Sequence, residues 1–225
     1  MNKYEIEQFR SDRGCLSYII NDTKTKQAIL IDPSEEVQIT NYLDYLKENQ
    51  IDLVYIIDTH THADHISSSK EIKKETGAKI IMHKNSPTKR KDIEVCEDMF
   101  IDLGELRIEL LYTPGHTDES ISILIDGAVF TGDALLIGGT GRTDFQAGSS
   151  ESLFTTLHEK FEKLDDSTKV YPAHNYEGKT NSTIEEEKKN NPRFKMKKDE
   201  FIKTLNAHKP DKPDLFKIAI EKNSQ

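Results

Sequence analysis

Cysteine is scarce in this chain, and so is any uninterrupted apolar run. Only Cys15 and Cys96 stand among 225 residues. They allow at most one disulfide, and by count they exclude a metal site built from thiolates. Two thiols without metal-ligand spacing suggest a reducing compartment, with both cysteines buried as small hydrophobic groups. No stretch approaches the roughly 18 apolar residues of a membrane span. The opening "MNKYEIEQFRSDRG" has none of the apolar h-region of a secretory signal. The expectation is a soluble, cytoplasmic protein with no membrane partner. Positive charge is short too: 31 Lys and Arg face 40 Asp and Glu, for a formal net charge of −9. That balance disfavours a nucleic-acid partner. The deficit is uneven, because from Lys179 onward 12 basic residues face 8 acidic ones. This segment reads either as a solvated surface or as the rim of a pocket for an anionic ligand.

Internal repeats, low-complexity tracts and evident linkers are missing as well, so residues 1–225 are expected to form a single domain with a sizeable core. What is present reads as an α/β (α+β) chain. "YEIEQF", "CLSYIIN" and "QAILID" have the length and composition of strands. The apolar positions of "EEVQITNYLDYLKENQ" predict a helix capped by Ser34. "IDLVYIID" reads as a strand buried on both faces. "SSSKEIKKETG" predicts a helix stopped by Gly77, and "AKIIMH" a further strand. Two hairpins are expected, turning near Leu103-Gly104 and at Asp126-Gly127. A helix over "SSESLFTTLHEKFEKL", a strand "KVYPAH" and helices in "TIEEEKKNN" and "KMKKDEFIKTL" follow. Strand-rich halves that each close with helices point to two packed sheets with helices outside.

The chemistry concentrates in "DTHTHADHISSS", residues 58–69, which carries His60, His62, Asp64 and His65 just past a buried strand. Strand alternation puts His60 and His62 on one face, and a turn can bring Asp64 and His65 in from another side. "TPGHTDES" puts His116 in a loop after a strand, "VFTGDALL" puts Asp133 in a glycine turn, and "VYPAHNYEG" puts His174 past another strand. Loops at strand ends are where a rigid scaffold displays functional groups. Imidazoles with carboxylates suit zinc, iron or manganese. His83, His158 and His208 read as ordinary polar residues. By residue type alone two metals fit: His60, His62 and His116 around one ion, and Asp64, His65 and His174 around another, with Asp133 between them.

The series "THTHADH", "TPGHT", "FTGDALL" and "YPAH" resembles the metallo-β-lactamase superfamily over about Tyr4 to Pro213. That resemblance implies an αββα sandwich with the H-x-H-x-D-H motif at one end. Within the superfamily, "FTGDALLIGGTGRTDFQAGS" and "YPAHNYEGKTNSTIEEEKKNNPRF" look like the persulfide dioxygenases. These oxidise glutathione persulfide with O2 to sulfite and glutathione. The likeness implies one Fe(II) per chain, held by His60, His116 and Asp133, with His62, Asp64, His65 and His174 orienting ligands and water. The alternative is a glyoxalase II-like thioesterase with two zinc ions acting on hydroxyacyl-glutathione. A third option is a non-catalytic metal or thiol sensor. Around the site, Tyr176 is expected to offer its hydroxyl to a metal-bound ligand. Arg142, and less directly Arg193, would grip a carboxylate of glutathione or a related small persulfide. A homodimer is left open. Two departures from the family stand out: Asn175 replaces an aspartate, which puts ligand orientation in question, and "DLFKIAIEKNSQ" differs from the usual ending.

Overall fold

The computed structural model describes residues 3–96, 98–207 and 210–225. Strand β1 (Tyr4–Arg10) pairs antiparallel with β2 (Leu16–Asp22), and β2 with β3 (Gln27–Ile31). Helix α1 (Ile39–Glu48) carries the chain over to β4 (Asp52–Ile57), parallel to β3. Helix α2 (Ser69–Thr76) does the same for β5 (Lys79–His83), and β6 (Ile93–Val95) ends the sheet, also parallel. Parallel neighbours need such crossovers because the chain must return to the end it left.

The second sheet begins with β7 (Met99–Leu103), β8 (Leu106–Tyr112), β9 (Ile121–Ile125) and β10 (Ala128–Gly132), an antiparallel meander. Helix α3 (Ser150–Glu159) then leads to β11 (Lys169–Pro172), parallel to β10, with β12 (Ser182–Thr183) at the edge. Helices α4 (Ile184–Asn190), α5 (Pro192–Lys195), α6 (Lys198–Ala207) and α7 (Phe216–Ser224) follow.

Strand alternation explains the layering. In β2 and β3, Ile20 and Ile29 face the other sheet, where they join Ile57, Ile108, Ile123 and Phe130 in the central core. Their neighbours Ile19 and Leu30 face the opposite way and pack under α1 and α2 with Tyr42, Leu46 and Ile72. On the far side, Leu153, Leu157, Phe201 and Leu205 of α3 and α6 cover Val129 and Val170. Each central strand is thus buried on both faces, which is why its sequence is almost continuously apolar. The expected αββα sandwich is the one observed. Among the described residues no helix is long and apolar enough to cross a membrane.

Three expectations need correction. Ser34 does not cap α1: the helix starts at Ile39 after Gln38, while the Ser34 hydroxyl accepts the amide of Glu36 at 3.2 Å within a preceding turn. Cys96 is exposed rather than buried, since it follows the short edge strand β6. The sequence reading also has no helix at the C-terminus, whereas α7 forms there and buries Ala219 and Asn223. Its apolar positions are too few to give a clear helical stripe. His208, read as ordinary, lies outside the described residues.

Candidate metal centre

Five strands deliver a candidate ligand or its support to the same edge of the sandwich. Strands β3 and β4 run parallel, so Asp32 and His60 leave the first sheet side by side. In the second sheet, β8 and β10 flank β9 antiparallel to both, and β11 runs parallel to β10. His116, Asp133 and His174 therefore emerge together. The sheets meet at Gly132, whose φ is +53°, a conformation L side chains rarely adopt. A Cβ there would lie 2.6 Å from Thr59 Oγ1, so only glycine permits this approach.

His60, His116 and Asp133 form one group whose ligating atoms all lie within 4.8 Å of one another. Their orientation is set from behind. His60 Nδ1 lies 2.9 Å from the Thr59 hydroxyl, which in turn donates to Asp32 Oδ2 at 2.8 Å. That chain places the proton of His60 on Nδ1 and leaves Nε2 as a lone pair. His116 repeats the arrangement: its Nδ1–H donates to the carbonyl of Arg142 at 2.7 Å, and Nε2 points toward Asp133 Oδ2 at 3.6 Å. Both imidazoles are thus held in the tautomer a metal requires. Burial, with His62 and His116 close by, holds His60 well below its ordinary pKa, so it is neutral. Two imidazoles and a carboxylate fit a divalent transition metal.

His62 is not brought to this group. Its Nε2 lies 3.2 Å from Asp32 Oδ1, and its Nδ1 is buried without a partner. Burial pushes it down to about 3. His174 stands between two carboxylates, with Nδ1 2.6 Å from Asp133 Oδ1 and Nε2 2.8 Å from Asp64 Oδ2. Such a histidine is an imidazolium that donates both protons. Burial pushes it down, but Asp133 and Asp64 outweigh that and hold it well above its ordinary range. His65 Nδ1 lies 3.1 Å from Asp64, and this neighbour carries it up to about 10 against burial.

The second cluster also includes a thiol. Cys15 Sγ lies 3.6 Å from Asp64 and 3.7 Å from His65, so Cys15, Asp64, His65 and His174 lie within one metal-sized group. The cysteine count excluded a multi-thiolate centre, but a single thiol among imidazoles escaped that argument.

The Asp133–His174–Asp64 chain makes the metal-free protein sensitive to pH in both directions. Burial raises each carboxyl, but the histidines pull both well below the ordinary value of 3.8. Their stabilisation is complete above that value and is lost as pH falls toward the depressed one. His174 acts oppositely: its contribution is complete below 6.5 and is lost as pH rises through its elevated value. Chelator-treated protein is therefore expected to melt highest between these limits, and His174→Ala to flatten that maximum. Thermal melts from about pH 2 to 9 measure both; a maximum unchanged in His174→Ala would deny this chain its role.

A cleft of about 410 Å³ opens over the group. The expected open fork of Arg142 is closed. Its Nε and Nη2 donate to Asp144 at 2.6 and 2.8 Å, and it also holds the carbonyls of Pro210 and Asp211. Arg193 lines the same cleft, and the contact shown for its guanidinium is Met196 Sδ at 3.8 Å. Tyr176 is 78% exposed at the mouth, its ring stacked on His174 with centroids 6.1 Å apart. Asn175 turns away from the ligands: its Oδ1 accepts the amides of Glu177 and Lys179 at 3.1 and 2.9 Å, and Arg10 reaches its backbone carbonyl. Its departure from the family therefore affects a loop that an aspartate could cap equally well.

Sequence reasoning missed Asp32, Thr59 and Asn223. Asp32 was within reach, because "LIDPS" ends a strand in a carboxylate just as the recognised motifs do. It is buried, and burial carries it up to about 6 even though His60 and the Thr59 bonds pull it down.

The metallo-beta-lactamase superfamily model matches residues 10–174. The chain belongs to the metallo-β-lactamase superfamily. Within it, the chain is similar to the mitochondrial persulfide dioxygenase ETHE1 of Mus musculus, with 35% identity over 97% of this chain and 87% of that protein. The crystal structure of ETHE1 from Myxococcus xanthus superposes with a TM-score of 0.94 at 38% identity, covering 98% of each chain. A hydroxyacylglutathione hydrolase of Pelagibacter ubique is 29% identical over 97% of this chain and 91% of that protein.

Proposed function

We propose that this protein is a persulfide dioxygenase with one Fe(II) per chain, held by His60, His116 and Asp133. The observation that carries the reading is the disposition of the other histidines. His62 is hydrogen-bonded to Asp32 and His174 to two carboxylates, whereas His60, His116 and Asp133 bring three ligating atoms together in the wall of the cleft. The similarity to persulfide dioxygenases supports the same reaction. Two histidines and a carboxylate leave coordination positions open, the arrangement of non-haem Fe(II) oxygenases. Bound Fe(II) would supply those positions and a route for electrons from persulfide to oxygen.

The protein's own groups bind, orient and balance charge. Thr59 and the Arg142 carbonyl fix the two imidazoles, and His174 holds Asp133 by Oδ1 and leaves Oδ2 for the metal. His174, bonded on both nitrogens to Asp133 and Asp64, offsets the charge of those two carboxylates beside the cleft. Arg193 is half-buried in the cleft wall, and burial lowers its pKa. We assign it a carboxylate of glutathione or of a similar small thiol carrier. Arg142, with its fork filled by Asp144, shapes the wall and anchors residues 210–211. Tyr176 closes the mouth, its hydroxyl within the cleft's reach for an incoming substrate. The reaction consumes one persulfide, one O2 and one water, and yields sulfite, the free thiol and two protons. Both cysteines are free, in keeping with a reducing compartment such as the cytosol.

The direct test gives the iron-loaded protein glutathione persulfide in an oxygen electrode. Oxygen uptake and sulfite are expected in about equal amounts. Anaerobic cleavage of a hydroxyacyl-glutathione thioester, with no oxygen uptake on persulfide, would replace this reading by the two-zinc alternative. A second result is expected at Arg193. Arg193→Lys keeps the charge but loses the planar fork, so KM for glutathione persulfide should rise several-fold while kcat stays near wild type. An unchanged KM would remove Arg193 from the substrate site.

A further inference from the structure

The far side of the metal-binding loop is closed by a residue 158 positions beyond it. Asn223, near the end of α7, is completely buried. Its Nδ2 donates to the backbone carbonyls of His62 and His65, each at 2.9 Å. Its Oδ1 accepts the amide of Ser67 at 2.9 Å and lies 3.5 Å from Arg90 Nη2. A carboxamide has two donor hydrogens and two acceptor positions, and every one is spent here. The partners are themselves fixed: Ser67 and Ser69 hydroxyls donate to the buried Asp58, and Arg90 pairs with Asp58 at 3.5 Å.

The loop it holds is the one that carries the site. His62 and His65 bracket Asp64, and Asp64 fixes His174, which in turn fixes Asp133. We infer that Asn223 is a positioning residue for the metal centre, a clamp that sets Asp64 and, through His174, the direction of the Asp133 carboxylate. This inference rests on the assignment of His60, His116 and Asp133 as metal ligands. The physical reason is the cost of freedom in the loop. Thr59 is tied by its carbonyl to Ile121, and Ile66 to Ser68 are bridged to the segment around Ser34. Among the described residues no backbone–backbone hydrogen bond holds residues 60–65, so that stretch is ordered by such side-chain contacts. Without the carboxamide, two buried carbonyls lose their donor together and the loop must move to find others. Outer contacts of this kind typically change metal affinity by about 10–100-fold when removed.

The rival explanation is that Asn223 only anchors α7 to the body of the protein. Ala219, also buried on α7, separates the two, because Ala219→Gly weakens the helix without touching the loop. Chelator-treated full-length protein is titrated with Co(II), and its visible absorption reads both affinity and ligand geometry. Asn223→Ala is expected to raise the Co(II) Kd at least about tenfold and to shift the absorption. Amide exchange over residues 61–67 should accelerate. Ala219→Gly is expected to lower the melting temperature of the metal-free protein and leave the Kd near wild type. Asn223→Asp keeps the acceptor for Ser67 and Arg90 and sets a carboxylate oxygen against the two carbonyls in place of their donor. It should raise the Kd as Asn223→Ala does, and it decides the matter if Asn223→Ala fails to fold. A Kd unchanged in Asn223→Asp, or raised equally by Ala219→Gly, overturns the clamp. A wild-type protein that binds no Co(II) overturns the ligand assignment itself, and the clamp with it.

Discussion

His116→Ala and Asp133→Ala are each expected to yield protein with little bound metal, even when iron is supplied during expression. Under the proposed assignment each removes one of three protein ligands, and two remaining donors cannot hold the ion in competition with water and small chelators. The effect should be local. His116 reaches the cleft from a loop, and its loss deletes a bond to the Arg142 carbonyl without opening the core between the sheets. His174→Ala should behave differently. It frees Oδ1 of Asp133 and leaves Asp64 without its main partner, but it removes no ligand. The expected cost is about 10–100-fold in affinity, recoverable at high metal concentration. Metal analysis after dialysis measures the first effect, and titration measures the second. If His174→Ala emptied the site as thoroughly as His116→Ala under saturating metal, His174 would be a ligand and the one-metal arrangement would be wrong.

If the protein is the Fe(II) dioxygenase proposed above, exchange of iron for zinc is expected to abolish oxygen uptake while the protein stays folded. Zn²⁺ can occupy two imidazoles and a carboxylate, so binding and thermal stability should be retained. It has no accessible redox change, so it cannot pass electrons from sulfur to O2. Reconstitution with Fe(II) should restore the uptake. Circular dichroism, metal content and an oxygen electrode on one preparation give all three quantities. Full oxygen consumption by zinc protein freed of iron would remove the metal from the redox step.

Much of the site was legible because its candidate ligands stand in a repeated local context. His60, His116, Asp133 and His174 each follow an apolar strand, and a strand end before a Gly, Pro or His loop is visible in one dimension. Their supports were less visible. Thr59 orients His60 through a hydroxyl that adjoins the motif, but only the approach of Gly132 and the position of Asp32 give that threonine its partners. Arg142 was read as a fork for a glutathione carboxylate because a guanidinium matches carboxylate geometry, with an ion pair to Asp144 as the other reading. Asp144, two residues away, accepts that fork instead. The same short-range pairing could be weighed from the sequence but not decided, since rotamers and the path of residues 210–211 settle it.

The candidate metal ligands show the division most clearly. The amino-acid sequence by itself determined which groups can bind metal, that they sit at strand ends, and that two sheets with outer helices carry them. Those properties follow from residue type and from the period of the apolar pattern, which are local. It left one ion and two ions equally open, because His62, Asp64, His65 and His174 are competent ligands in any list. Only the tertiary structure decided how they are spent: His62 on Asp32, His174 between Asp64 and Asp133, and the loop carbonyls on Asn223. Each of those partners lies on another element, between 30 and 161 residues away. Hydrogen bonds at such separations depend on how sheets and helices pack, and packing has no period that a sequence displays.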